Sequence, residues 1–454
     1  MSAATTAGEN ERAGPFEVTH RLVLSIAIPM TLGFLTTPLI GLTDTAVAGR
    51  LGSADALAGM AVGAVIFDLL LGSFNFLRAS TTGLVAQAFG RGDRREEQAV
   101  YWRSLVIALC SGLVLALLSP FLLAAGLFLM APSPGVADVT ATYFMIRILS
   151  APLSLANYAL LGFVLGRGQG MTGLFLQAVI NGVNIVLSIV LGLGLGWGVA
   201  GIAWAAFTGE TVGMLTGLLL VVSRFDRKER PSRAELFARE RMRALFSLNR
   251  DIMIRTFVLV GAFAVMTRIG SSMGPLVLAA NAVLMNIFLV AGYYLDGIAN
   301  AAEQLVGRAF GANFRPAFDR AVRLTMIWSF GLGIVTTLLF LLFGANVIGF
   351  LTTTEAVRAE ALKYLPWAAL TAITGALAFQ MDGVFIGATW SSTMRNMMLA
   401  AFAGYLLALG LFVPLLGNHG LWLALNLFLA FRGIFLALRL PALAGRQFAV
   451  TGRS

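Results

Sequence analysis

Apolar residues run along this chain in long blocks, separated by short stretches rich in glycine, polar residues or arginine. A helix needs about 20 apolar residues to cross a hydrocarbon core about 30 Å thick. Twelve blocks meet that requirement: 22–48, 55–80, 100–127, 139–166, 171–193 and 199–222 in the first half, and 250–270, 276–302, 320–350, 358–387, 395–415 and 420–443 in the second. Several exceed the minimum and are expected to tilt or kink. The first contains Pro29 and Pro38, each of which removes a helix hydrogen bond. The alternation of a β-strand is missing, so a barrel is not expected. The pattern predicts an all-α polytopic membrane protein with twelve transmembrane helices.

Composition agrees. Of 454 residues, 58% are apolar and 12% are charged, against about 25% charged in soluble domains. The 50 glycines suit helices that pack closely in lipid. The net charge of +10 suggests nucleic acid only until the basic residues are placed, because they fall largely between the apolar blocks. Lys228 and Lys363 are the only lysines, and neither follows a glycine-rich loop, so no Walker A lysine and no ATP hydrolysis are expected. Cys110 is the single cysteine, which excludes an intrachain disulfide. Residues 1–20 are polar and lack an apolar signal core, so no cleavable signal peptide is expected.

The arginines also orient the chain. Arg91, Arg94 and Arg95 follow the second block, Arg167 the fourth, Arg308 and Arg315 the eighth, and Arg395 the tenth. The segment after the sixth holds eight basic residues, whereas the loops after blocks 3, 5 and 11 hold none. The positive-inside rule then places even-numbered loops and both termini in the cytoplasm, in a cell inner membrane. The expected domains are a cytoplasmic tail (1–21), a six-helix lobe (22–222), a basic cytoplasmic linker (223–249), a second six-helix lobe (250–443) and a C-terminal tail (444–454).

The two halves repeat. Shifting Tyr143–Gly168 by 221 residues superposes Tyr143 on Tyr364, Gly162 on Gly383 and Gly166 on Gly387. The same shift lays Leu84-Val85 on Leu305-Val306, Phe89-Gly90 on Phe310-Gly311 and Phe67 on Phe288. Because six is even, the repeats are parallel, and a central cavity between them is expected.

Several motifs then fall into order: Gly41–Gly52 (GLTDTAVAGRLG), Phe76-Leu77-Arg78, Gly83–Gly90 (GLVAQAFG), Asn249-Arg250-Asp251, Asp296–Glu303 (DGIANAAE) and Asp382-Gly383. Together they resemble the MATE (multidrug and toxic compound extrusion) family, in the branch named for DNA-damage-inducible protein F, over about residues 20–445. The resemblance implies a V-shaped pair of lobes. It implies export of small organic, often cationic and amphipathic compounds, driven by proton or sodium entry. Plant members are associated with organic-acid efflux, so the charge of the substrate stays open.

A charge in mid-span costs about 2.5–3.5 kcal/mol on insertion scales, so each needs a reason. The candidates are Asp44, Asp68, Arg78, Arg147, Glu210, Arg255, Asp296, Glu303, Asp382 and Arg432, and pairing inside the bundle is one reason open to all. A carboxylate withdrawn from water binds a proton more readily. The resemblance singles out Asp44, where relatives carry an ion-coupling Asp, and matches Asn184 to an Asn beside it. Asn157 is a further candidate partner, and Asn181, Asn184 and Ser188 share one face of the fifth helix. Some relatives have a second Asp where this chain has Ser188, and this departure favours protons over sodium as the coupling ion. In the second lobe, Asp296 and Glu303 share a helical face, and Asp382 lies near the family's acidic position. Asp382 has two open roles, coupling a cation or pairing with Arg255. Asp68, with Asn75 and Arg78, is expected to form a structural network.

No cofactor or metal is expected, and neither is a nucleic-acid partner. Small organic substrates and membrane lipid are the expected partners of a monomer. A lipid-linked precursor flippase of the same superfamily and an organic-anion exporter are the alternatives. An enzyme is disfavoured, since His20 and His419 are the only histidines and no metal-binding motif is found.

Overall fold

The computed structural model describes residues 16–449, which are almost wholly helical. The helices are α1 (His20–Gly49), α2 (Ala54–Gly72), α3 (Phe76–Arg91), α4 (Arg94–Leu117), α5 (Ser119–Met130), α6 (Pro134–Arg147), α7 (Ala151–Gly166), α8 (Gly170–Ile189), α9 (Gly198–Val222), α10 (Arg233–Leu236), α11 (Arg239–Ser272), α12 (Pro275–Gly311), α13 (Arg315–Leu351), α14 (Glu355–Gly387), α15 (Ser391–Leu416) and α16 (Asn418–Ala449). Twelve segments among the described residues are long and apolar enough to cross a membrane, which is the number the apolar blocks predict. Large side chains such as Leu117, Leu219, Leu342 and Leu407 are exposed on them, as faces solvated by lipid require.

Local chemistry explains where the helices depart from the blocks. The block 100–127 is two helices, because Pro120 lacks an amide hydrogen and its ring collides with the carbonyl four residues earlier. The block 139–166 begins at Pro134 and tightens into a 3₁₀ turn at Ile148–Ser150, just before Pro152. The block 55–80 extends to Arg91 through a turn at residues 73–75, where Ser73 Oγ donates to the Leu70 carbonyl at 2.6 Å.

The chain divides into two compact units, one of residues 32–89 and 93–246, the other of residues 16–31, 90–92 and 247–449. The boundary near the start falls inside α1, two residues after Pro29, so the first turns of that helix belong with the second half of the chain. Packing explains this. Gly297 of α12 lies so close to Ala27 and Thr31 that an added Cβ would overlap them.

Duplication is visible in the packing of each unit. In the N-terminal unit, a Cβ added to Gly162 would lie 2.6 Å from the Arg78 carbonyl oxygen, and one added to Gly166 would lie 2.8 Å from that of Thr82. In the C-terminal unit, Gly383 and Gly387 approach the carbonyls of Ala299 and Glu303 in the same way. All four positions and all four carbonyls are related by the offset of 221 residues. The two pairs of helices, α3 with α7 and α12 with α14, are therefore one packing arrangement used twice, with glycine letting the backbones touch.

The basic linker is partly helical. Ser232 and Glu235 form a reciprocal capping box that starts α10. Arg103 donates to the carbonyls of Glu235 and Leu236 at 3.0 Å, and Arg95 pairs with Glu235 at 2.8 Å, which ties this segment to α4.

Candidate functional site

Asp44 lies on α1, five residues before its end, and is 8% exposed. The face of α8 predicted to carry Asn181, Asn184 and Ser188 is buried, and it meets α1 at two points. Ser188 Oγ donates to Asp44 Oδ1 at 2.8 Å, and Asn181 Nδ2 donates to Thr36 Oγ1 at 2.5 Å. Ser188 Oγ also lies 3.1 Å from Asn184 Oδ1. A hydroxyl carries a single hydrogen, so Ser188 serves one of these oxygens at a time. When Asp44 is ionised, Ser188 donates to it. When Asp44 carries a proton it can donate to Ser188, which then passes its own hydrogen to Asn184. Ser188 therefore offers Asp44 a hydrogen-bond partner in either protonation state.

Asn157 does not join this group. It donates from Nδ2 to Glu210 Oε2 at 2.7 Å and to the Glu210 carbonyl at 3.0 Å, joining α7 to α9. Arg147 Nη2 stands 3.9 Å from Glu210 Oε1. Arg147 and Glu210 are thus a second charged pair in the N-terminal unit that sequence reasoning counted among mid-span charges but did not assign to a site. No spacing rule joins residues 63 positions apart on different helices. Of the network expected around Asp68, Arg78 Nε donates to Asn75 Oδ1 at 3.1 Å. Asp68 itself is exposed and lies in the field of Arg147.

In the C-terminal unit, Asp382 is committed to internal cations. Its Oδ2 accepts from Arg255 Nη2 of α11 and from Arg432 Nη2 of α16, the latter at 2.7 Å. The pairing role left open for Asp382 is therefore realised twice. Asp296 and Glu303 share a face of α12 but not an environment, since Asp296 is exposed and Glu303 is buried. The Asn249-Arg250-Asp251 motif is an anchor. Asp251 accepts from Arg395 Nη1 at 2.6 Å and from Ser391 Oγ at 3.0 Å, holding α11 against α15. Among the described residues, no group of His, Cys, Asp and Glu could hold a metal ion.

The MatE family model matches residues 29–190 and 252–412, one stretch in each half. DNA damage-inducible protein F of Escherichia coli K12 is 39% identical over 415 residues, 91% of this chain and 90% of that protein. A probable multidrug resistance protein NorM of Rhizobium meliloti is 28% identical over 460 residues, covering 96% of both chains. Among solved structures, MATE in its straight conformation superposes with a TM-score of 0.85 at 17% identity, covering 98% of this chain and 99% of that one.

Proposed function

The chain belongs to the MatE family, and from that premise we propose that it is a secondary-active exporter of organic, cationic and amphipathic compounds in exchange for protons, with Asp44 as the coupling carboxylate. The single observation that carries this reading is the Asp44–Ser188–Asn184 trio: a buried carboxylate whose partners suit both its ionised and its protonated form. The name of the Rhizobium meliloti relative supports multidrug export. Protons are favoured over sodium because the trio holds one carboxylate and few further oxygens, whereas a sodium ion normally gathers a full ring of oxygen ligands.

The protein is a multi-pass membrane protein. We place it in the cell inner membrane with both termini in the cytoplasm, a reading supported by the arginine-rich even-numbered loops. The exporter works as a monomer. Proton entry neutralises Asp44 from the outer side, and proton loss to the cytoplasm resets it.

The deciding experiment is efflux of a cationic dye from proteoliposomes under separately imposed pH and sodium gradients. A pH gradient without sodium should drive efflux. Efflux that responds only to sodium overturns the choice of ion.

A further inference from the structure

The two carboxylate oxygens of Glu210 keep different company. Oε2 is held by Asn157 at 2.7 Å. Oε1 faces Arg147 Nη2 across 3.9 Å, too far for a hydrogen bond. Arg147 does not depend on Glu210 for its place. Its Nη1 donates to Ser150 Oγ at 2.8 Å, and its guanidinium lies 4.2 Å from the centroid of the Phe67 ring. Arg147 also borders the helix of Asp44: Tyr143 and Ile146, beside it on α6, pack in one cluster with Val47 and Ala48 of α1, about one turn from Asp44, and the charge of the guanidinium acts on Asp44 and Asp68.

A second observation points to a ligand. Ser150, which ends the 3₁₀ turn before α7, and Ser154 and Asn157 of α7 follow one another at helical spacing. The outer two bind Arg147 and Glu210. The middle one, Ser154, is 5% exposed, and its hydroxyl has no hydrogen-bond partner among the described residues. A buried hydroxyl left unmatched is costly, and a donor lodged beside Glu210 would satisfy it.

The charged and titratable surroundings of Glu210 are few. Of the helices packed on α9, α6 brings Arg147 and Tyr143, α7 brings Tyr158, α2 brings Asp68, and α8 brings none. Arg78 of α3 lies near Tyr158.

We infer that Glu210, with Asn157 and Ser154, seats the cationic centre of the exported compound, and that Arg147 is the positioning residue that makes this seat and the proton on Asp44 mutually exclusive. The inference rests on the proton-coupled reading above. A substrate cation at Glu210 Oε1 takes over the neutralisation of that carboxylate. The field of Arg147 is then left to stabilise the Asp44 carboxylate, and the proton leaves. When Asp44 is protonated again, Arg147 closes on Glu210 and expels the cation. One guanidinium shared by two carboxylates is an antiport device, and the coupling is reciprocal, as linkage requires.

The test uses purified full-length protein in detergent, ethidium as the cation, and a pH indicator to count released protons. Wild type should release about one proton for each ethidium bound. Glu210→Gln should weaken ethidium binding by more than about tenfold, while Glu210→Asp, which keeps the charge, restores most of it. Arg147→Gln should still bind ethidium but release no proton, and its affinity should no longer depend on pH. A purely structural role for Arg147 would lower both signals together. Unchanged ethidium affinity in Glu210→Gln, or continued proton release in Arg147→Gln, overturns the inference. Wild-type binding that displaces sodium rather than a proton defeats the proton-coupled reading instead, and Glu210→Gln then still decides the seat.

Discussion

Ser188 and Asp44, 144 residues apart, meet in a 2.8 Å hydrogen bond that joins the fifth transmembrane helix to the first. The bond gives a buried carboxylate a small hydroxyl partner from a helix remote in sequence, and the proton-coupled reading proposed above rests on this arrangement.

Asp44→Asn should insert and fold normally, because the amide keeps the size of the side chain and can still accept from Ser188. It imitates the protonated state permanently, so coupled efflux and drug resistance should fall by more than about tenfold at matched membrane expression. Transport at the wild-type rate would remove Asp44 from the mechanism. Ser188→Ala should retain transport with an altered pH profile, since the carboxylate survives but loses its hydrogen-bond partner.

Asp382 has a different role, and its substitution should be read in stability. Two guanidiniums converge on one of its oxygens, and Arg432 is 2% exposed. Removing one partner of a buried ion pair typically costs about 3–5 kcal/mol. Asp382→Asn should therefore show a clear fall in melting temperature in detergent and reduced yield. A variant as stable as wild type but unable to couple would make Asp382 a transport carboxylate after all.

The repeated glycines make a paired prediction. Gly162→Val and Gly383→Val both push a side chain into a facing carbonyl, of Arg78 and Ala299 respectively. Overpacking of this kind costs about 1–3 kcal/mol or more, so both should lose thermal stability, each in its own unit. Gly331→Ala, with open space around the new Cβ, should not. Equal stability of all three variants would contradict the close backbone contacts.

Topology can be checked by labelling. Cys110 is exposed, so it must first be replaced by Ser. In that background Lys228→Cys should resist an impermeant thiol reagent in intact cells, while Ser133→Cys, in the exposed turn before α6, should react readily. The opposite pattern would invert the whole orientation.

Periodicity and charge in the chain determine the twelve spans, the duplication and the acids that membrane burial makes costly. They also determine that Asn181, Asn184 and Ser188 share a face, because side-chain direction along a helix follows from its pitch. Which face meets which helix is decided only when the bundle packs. Asn157 looks equivalent to the α8 polar residues in the sequence, yet it turns to Glu210 on α9. Asp296 and Glu303 lie in register on α12 but differ in exposure, because that helix passes from an open surface into close packing with α14. Asp382 acquires Arg255 and Arg432 from helices 127 positions before it and 50 after it. The rotation of each helix about its axis is set by the fit of its whole surface against its neighbours. Ion pairs between distant helices are consequences of that fit, and no local pattern in the chain encodes them.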